Sequence, residues 1–205
     1  MTGPPEVLTI GHSTHSIEHF VALLRSHGVT AIADVRSQPL SRYAPQFNRA
    51  ELAASLRQSD LQYVFLGREL GARSKDPNCY IDGRVQYARL ALTDDFRAGL
   101  ARIVSGAQNE RIALMCTEKD PLDCHRTVLV ARRLADEGVR ISHIRADGSI
   151  ESDGEAIDRL MCQLGMQPSL FCSRQEQVDE ALAEQEARIA YVNADHAALS
   201  ERAVS

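Results

Sequence analysis

Short apolar runs alternate with amphipathic segments along the first two-thirds of the chain. Runs rich in apolar and β-branched residues predict strands, and apolar residues at helical spacing predict the helices between them. The predicted strands are residues 7–11, 30–35, 61–66, 111–116 and 139–144. The predicted helices are residues 16–27, 93–105 and 123–137, and a further helix follows a capping box at Asn48 and Glu51.

Two segments depart from this alternation. Residues 72–92 combine Pro77, Gly83 and many polar side chains, so we expect a long loop or lid with short helical pieces. From Arg174 onward, an Ala- and Glu-rich stretch predicts a long amphipathic helix. Its apolar residues at helical spacing are Val178, Leu182, Ile189, Val192 and Leu199. This helix is expected to pack on the domain or on a second subunit.

The alternation of strands and helices indicates the fold class. It is typical of parallel βαβ units whose helices cover both faces of a sheet. We therefore predict an α/β fold, with three α/β/α layers, a mostly parallel sheet and a C-terminal amphipathic helix. The α/β domain is expected over residues 1–163, and residues 164–205 are expected to form a helical extension.

Polar and charged side chains collect where the predicted strands end, which is the edge at which open parallel sheets bind ligands. The candidate ligand-binding residues are Ser13, Asp34, Arg36, Arg42, Glu118, Lys119 and Arg126. The basic members, together with a helix N-terminus near residue 123, favour a small anion such as phosphate or carboxylate. In the alternative, acidic neighbours neutralise these cations in a structural network, because Asp34 and Arg36 lie on the same strand face.

Cys124 is the candidate nucleophile. It is predicted to lie in the first turn of a helix, where the helix dipole and Arg126 favour the thiolate. Cys116 ends a buried strand, and His12 is a candidate acid or base after the first strand. Three roles stay open for the two cysteines: nucleophile and resolving thiol, metal ligands together with His12 or His125, or structural packing. Because the Cys-x7-Cys-His spacing matches no zinc finger or ribbon, no metal ligand is assigned.

Composition narrows the class of protein. The 205 residues carry 23 Lys and Arg against 28 Asp and Glu, which gives a net charge of −5. This acidic balance argues against a generic nucleic-acid-binding protein, although a local basic cleft keeps a nucleic-acid-associated or regulatory protein as a third hypothesis. There is no secretory signal and no apolar run of membrane-spanning length, so we expect a cytoplasmic protein without a membrane partner. The C-terminal helix offers a surface for a homodimer.

Several short motifs resemble one bacterial family. They are TIGHS at residues 9–13, DVRSQP at 34–39, FN at 47–48, LGRELG at 66–71, CTEKDPLDCHR at 116–126 and HIRADG at 143–148. In this order they resemble the family catalogued as domain of unknown function 488, between residues 8 and 150. The resemblance implies a cytoplasmic α/β domain and brings no established activity or cofactor with it.

The leading hypothesis from the sequence is an enzyme or ligand-binding domain for a small anionic, nucleotide-like molecule. In it Cys124 supplies a thiolate, Cys116 lies beside it and His12 acts as acid or base. The alternative is a metal-binding or thiol-redox module that uses Cys116 and Cys124. The sequence identifies neither the reaction nor a cofactor.

Overall fold

The computed structural model describes residues 4–167 and 171–194. The strands are β1 (Glu6–Gly11), β2 (Ala31–Asp34), β3 (Gln62–Phe65), β4 (Tyr80–Ile81), β5 (Arg84–Val85), β6 (Ile112–Cys116), β7 (Arg140–Ile144) and β8 (Ile150–Ser152). The α-helices are α1 (Ile17–Ser26), α2 (Arg49–Gln58), α3 (Tyr87–Leu90), α4 (Asp94–Gly106), α5 (Arg132–Asp136), α6 (Asp153–Gln163) and α7 (Arg174–Ile189). Short 3₁₀ turns lie at Pro45–Phe47, Pro77–Cys79 and Pro121–Asp123, and a π-helical segment lies at Arg126–Ala131.

The main sheet has six strands in the order β3-β2-β6-β1-β7-β8, and β4 and β5 form a separate hairpin. Strands β3, β2, β6, β1 and β7 are parallel, and β8 runs antiparallel to β7 at one edge. From β1 the chain crosses to β2 on one side, whereas from β6 it crosses to β7 on the other. The carboxyl ends of β1 and β6 are therefore the switch point at which such sheets place a ligand cleft.

Helices cover both faces of this sheet. On one face Leu8, Ile10, Ile32 and Met115 of the strands pack with Phe20, Leu24, Leu52 and Leu56 of α1 and α2. On the other face Val7, Ala33 and Leu114 pack with Phe96, Leu100, Leu134, Ile157 and Leu160 of α4, α5 and α6. The predicted three-layer α/β fold with a mostly parallel sheet is confirmed.

The C-terminal helix belongs to the second of these layers. Val178, Ala181 and Leu182 of α7 are buried in the same core, and the side chain of Gln185 donates to the Leu122 carbonyl oxygen. Its apolar face is thus covered by its own chain, which removes the reason to expect a dimer through it. The division at residues 163 and 164 stays a prediction.

The predicted length of the C-terminal helix is wrong. The helix ends at Ile189, because Ala190 has extended backbone angles. Val192 then forms an antiparallel bridge with Arg84 rather than a further helical turn. Leu199 lies outside the described residues.

The predicted helix over residues 123–137 is present, but it begins at His125 rather than at residue 123, and its first part is π-helical. A 3₁₀ turn ends at Asp123, Cys124 is extended (φ −141°, ψ 140°), and helical geometry begins only at His125. The following segment, Arg126–Ala131, is π-helical and continues into α5. Cys124 therefore precedes the helix instead of lying in its first turn.

Two smaller predictions also differ from the structure, and two elements of the structure were not predicted. Asn48 precedes α2 but makes no side-chain capping bond, because its Oδ1 accepts the backbone N–H of Ser41. The expected lid at residues 72–92 contains the β4–β5 hairpin and α3, and several of its side chains are buried in the core. Strand β8 and helix α6 were not predicted from the sequence.

No helix in the described parts of the chain is long and apolar enough to cross a membrane.

Gly11, the last residue of β1, provides a test of how closely the switch point is packed. A Cβ atom on Gly11 would overlap the Glu118 carbonyl oxygen, whereas a Cβ on Gly154 of α6 meets nothing within 4 Å. We predict that Gly11→Ala lowers the free energy of unfolding by at least about 2 kcal/mol, since backbone must shift. Gly154→Ala should be neutral or stabilise by up to about 1 kcal/mol. Urea unfolding of both variants tests this, and equal stability of the two would contradict it.

Candidate functional site

The candidate site lies at the carboxyl ends of β1, β2 and β6. Cys116 ends β6, and the chain then turns through Pro121–Asp123 and returns to the same edge at Cys124. The backbone N–H groups of His12 and Ser13 donate to the carbonyl oxygens of Cys116 and Thr117, which ties the two strand ends together. The fold thus brings the predicted residues after β1, β2 and β6 to one place.

Two cysteines and a histidine form the centre of the site. The Nδ1 atom of His125 lies 3.8 Å from the sulfur of Cys116 and 3.8 Å from the sulfur of Cys124. All three potential ligand atoms lie within 4.8 Å of one another, and among the described residues this is the cluster that could hold a metal ion. His125 Nε2 lies 3.0 Å from the Val35 carbonyl oxygen. A proton on Nε2 would satisfy this contact, and Nδ1 then faces the sulfurs, as a lone pair in the neutral ring or as a second donor in the imidazolium.

The two thiols have opposite acidities. Burial alone raises the pKa of Cys124, but the hydrogen bond from Cys116 and the positive charge of Arg126 hold it well below its ordinary value. The hydrogen bond to Cys124, together with burial, raises the pKa of Cys116 well above its ordinary value. The backbone N–H of Arg126 also donates to the Cys124 sulfur, at 3.4 Å. These opposite pKa shifts favour Cys124 as the thiolate of the pair and Cys116 as its hydrogen-bond donor.

His125 completes this charge distribution. Burial alone lowers the pKa of His125, but its contact with Cys124 raises it above the ordinary value. From the sequence, the side chains of Cys124 and His125 were expected to point in different directions, as adjacent residues of a helix do. The extended backbone of Cys124 followed by the helical backbone of His125 instead turns both side chains to one centre. Of the two histidines weighed as partners of the cysteines, His125 and not His12 lies against both sulfurs.

Arg126 is completely buried and points toward the ends of β1 and β6. Its Nη1 donates to the Glu118 carbonyl oxygen at 2.9 Å, while Nε and Nη2 have no hydrogen-bond partner among the described residues. Burial and the negative charge of Cys124 raise the pKa of the Glu118 carboxyl. Arg126 thus supplies a buried positive charge to the cysteine pair rather than an exposed contact for an anion.

Arg36 is paired with Asp34, as the alternative interpretation of the sequence expected. Its Nε and Nη2 donate to the two Asp34 oxygens at 2.9 and 2.7 Å, and Nη2 also donates to the Phe47 carbonyl. Asp34 additionally accepts the Tyr63 hydroxyl. Most donors of Arg36 are therefore used inside the protein, although the residue still lines a cavity at the site.

His12 supports this ion pair. Its ring stacks on Phe47 with centroids 4.3 Å apart, Nδ1 lies 2.9 Å from the Ser13 carbonyl oxygen, and Nε2 lies 3.2 Å from Arg36 Nη1. Burial and the charge of Arg36 lower its pKa to about 4. His12 is therefore a neutral, buried ring whose two nitrogens are both engaged.

Glu118 lines two cavities at this edge of the sheet. The smaller one, of about 210 Å³, which we call the cysteine pocket, contains the cysteine centre. Its lining includes Arg36, Ser37, Arg73, Tyr87, Cys116, Glu118, Asp123, Cys124, His125, Ile189 and Tyr191. The larger cleft, of about 890 Å³, is lined in part by Ser13 and Lys119. Lys119 and Arg42 are exposed, and Arg42 lines neither cavity.

The sequence analysis missed several residues of the cysteine pocket. Arg73 and Tyr87 come from the segment expected to be a loop, and Ile189 and Tyr191 come from the end of α7 and the residues after it. The sequence contains no local signal for these residues. They reach the site through the β4–β5 hairpin and the packing of α7, which only the tertiary structure reveals.

Comparison with known proteins identifies the family of the chain. The family model "Domain of unknown function DUF488" matches residues 16–133, more than half of the chain, and the chain belongs to this family. No curated protein and no solved structure gives a significant match. The matched region contains Cys116, Cys124 and His125, whereas His12 precedes it and Tyr191 follows it.

The buried His12 ring predicts a pH dependence of stability. Its pKa is about 4 in the folded protein and about 6.5 when unfolded, so below pH 6.5 the unfolded chain binds a proton that the folded chain rejects. Stability should therefore fall as the pH decreases from 6.5 to 4, by about 2–3 kcal/mol from this group. His12→Gln keeps an acceptor for Arg36 without titrating. Urea unfolding at pH 7.5 and 4.5 should show a smaller loss in the variant, and equal losses would contradict the assignment.

Proposed function

We propose that this protein is a thiol-dependent enzyme that transforms a small anionic molecule in the cysteine pocket, with Cys124 as its nucleophile. The observation that carries the proposal is the Cys124 sulfur at the pocket, 3.8 Å from His125 Nδ1, with the Cys116 thiol as donor and the charge of Arg126 close enough to lower its pKa. A thiolate is the reactive form of cysteine, and positive neighbours stabilise it. The volume of the pocket suits a ligand smaller than the usual drug-sized molecule.

The surrounding residues have distinct roles in this proposal. The Cys124 sulfur attacks an electrophilic atom of the ligand, and the bond from that atom to the leaving group breaks. His125, whose imidazolium is stabilised by the thiolate, donates the proton that the leaving group needs. Cys116 stabilises the Cys124 thiolate by hydrogen bonding. Arg126 balances the charge of the same thiolate. His12 is not retained as acid or base, because both of its nitrogens are engaged.

The positions of the candidate anion-binding residues do not all support a contact with a ligand in the cysteine pocket. Arg36 and Glu118 line the cysteine pocket and are retained as ligand contacts. Asp34 acts through Arg36, which it orients. Ser13 and Lys119 face the larger cleft, and Arg42 is exposed away from both cavities, so these three are not retained as ligand contacts.

The five free cysteines fit a reducing compartment, which supports the proposal of a cytoplasmic location.

The acidity of Cys124 tests the proposal. After chelator treatment, alkylation by iodoacetamide is followed from pH 5 to 9 and resolved by mass spectrometry at each cysteine. We expect the Cys124 rate to reach its plateau well below pH 8.5, the pKa of an ordinary thiol. In Cys116→Ala, which removes the thiol donor, the midpoint should move to higher pH.

Matched measurements keep this test specific. Cys79→Ala removes another buried thiol outside the cluster and should leave the Cys124 profile unchanged. The exposed Cys162 and Cys172 monitor the reagent in the same sample. A Cys124 that stays inert up to pH 9, or that titrates as an ordinary thiol, would refute the proposed nucleophile.

A metal centre is a second candidate, and the ligand spacing favours it. Zinc bonds of about 2.3 Å to sulfur and about 2.0 Å to nitrogen place tetrahedral ligands roughly 3.5–3.8 Å apart. The His125 nitrogen lies 3.8 Å from each sulfur, and its other nitrogen contacts a backbone carbonyl, as metal-binding histidines usually do. Three ligands facing a pocket would leave one position open, the pattern of catalytic zinc.

Metal content separates the two candidates. For a metal centre we expect about one zinc ion per chain after anaerobic purification, since three ligands and an open position define one site. His125→Gln should lose the ion, whereas His27→Gln, a change outside the cluster, should keep it. Cobalt substitution should give the visible spectrum of a tetrahedral thiolate site. Protein that remains metal-free after incubation with zinc, and whose Cys124 is alkylated equally with and without chelator, would exclude this candidate.

A further inference from the structure

We propose that Arg73, held over the cysteine pocket by Tyr191, selects ligands that carry a carboxylate or phosphate group. The inference rests on the proposed function of the pocket and names the residue that recognises the anion. Arg73 was not among the basic residues that the sequence suggested. It lines the pocket together with Cys124, and Tyr191 lines the same pocket from the chain after α7.

Three contacts fix the position of Arg73. Its backbone N–H donates to the Ser37 hydroxyl at 3.0 Å, and its Nη1 donates to the Gln38 side-chain oxygen at 2.9 Å. The centre of its guanidinium lies 4.5 Å from the centroid of the Tyr191 ring. A guanidinium stacked on an aromatic ring keeps its edge free for two parallel hydrogen bonds to an oxyanion.

Tyr191 is itself positioned by the hairpin. The Val85 N–H donates to the Tyr191 carbonyl at 3.0 Å, and the Asn193 N–H donates to the Gly83 carbonyl at 2.7 Å. Val192 forms a bridge with Arg84 between these two bonds. The residues after α7 therefore add a short strand to the hairpin and close one side of the pocket. The residues after α7 lie outside the region matched by the family model, whereas the hairpin that they join lies inside it.

The charges around the pocket leave Arg73 available to a ligand. Arg36 is neutralised by Asp34, and Arg126 is buried behind the cysteine pair. Arg73 forms no ion pair with a carboxylate in the described residues. The carboxyl groups that line the same pocket are those of Glu118 and Asp123, and the side chain of Gln185 lies 3.5 Å from Asp123 Oδ1. An entering oxyanion would thus meet one cation that lacks an acidic partner.

Two alkylating reagents of nearly equal size test the selection. Iodoacetate is anionic and iodoacetamide is neutral, and both report on Cys124 after chelator treatment. We expect the rate with iodoacetate, relative to iodoacetamide, to fall about fivefold in Arg73→Gln, the effect of one unit charge several ångströms away. In the wild type this preference should shrink at high salt, because exposed charges are screened.

The control removes the same charge elsewhere. Arg57 is exposed at the end of α2, which precedes β3 and so lies at the opposite edge of the sheet. Arg57→Gln should leave the ratio of the two rates unchanged. Tyr191→Phe keeps the stacked ring and should keep the ratio, whereas Tyr191→Leu should lower it toward the value of Arg73→Gln.

The possible outcomes distinguish this inference from the proposed function. If Cys124 reacts readily with both reagents and the ratio is the same in the wild type and Arg73→Gln, selection by Arg73 is overturned while the thiolate stands. If Cys124 reacts with neither reagent, the proposed function fails first. If the rate with iodoacetate relative to iodoacetamide falls equally in Arg57→Gln and Arg73→Gln, the effect reflects the net charge of the protein, and this result would also overturn the inference.

Discussion

The site depends on a buried arginine that forms no ion pair with a carboxylate in the described part of the chain. Arg126 is completely buried, and its one hydrogen-bond acceptor in the described chain is the backbone carbonyl of Glu118. A buried charge is costly unless it is paired, so the protein must place a negative group close to this guanidinium. In the proposed function the Cys124 thiolate is that group, and the positive charge of Arg126 in turn helps to lower the pKa of Cys124. Gly11 is part of this arrangement, because a side chain there would displace the Glu118 carbonyl that anchors the arginine.

The local backbone explains how one short motif supplies so much of the centre. Cys124 is extended, His125 is helical, and a π-helical segment follows instead of an ordinary first turn. This change of conformation lets two adjacent side chains face one point, which a regular helix does not allow. The π-helical segment is consistent with a functional position, since such segments are frequent at functional sites. The same backbone change is why the helix predicted over residues 123–137 begins after Cys124 and not before it.

The sequence was sufficient for the layers of the fold and for the edge of the sheet at which the candidate residues converge, because both follow from local periodicity. Alternating strands and helices imply a parallel sheet, and the ends of β1, β2 and β6 carry the polar residues that converge. Individual roles were less predictable, because charge along a sequence does not reveal pairing or burial. Arg36 is ion-paired with Asp34, and Arg42 is exposed away from the site. Arg73 and Tyr191 were missed because hairpin pairing between distant segments brings them together.

Charge balance at Arg126 also relates the two candidate functions. In the proposed enzyme, a Cys124 thiolate beside the protonated Cys116 carries one negative charge, whereas the Arg126 guanidinium and the imidazolium of His125 carry two positive charges, so this centre can take up one further negative charge. A divalent ion bound by two thiolates and a neutral imidazole would form a neutral centre and leave Arg126 without a counter-charge. A fourth, anionic ligand would restore the balance, either hydroxide, whose formation a zinc ion promotes, or an oxyanion of the bound molecule. Both candidates therefore lead to the same requirement, a negative group at the open side of the centre, and Arg73 is placed where such a group would enter.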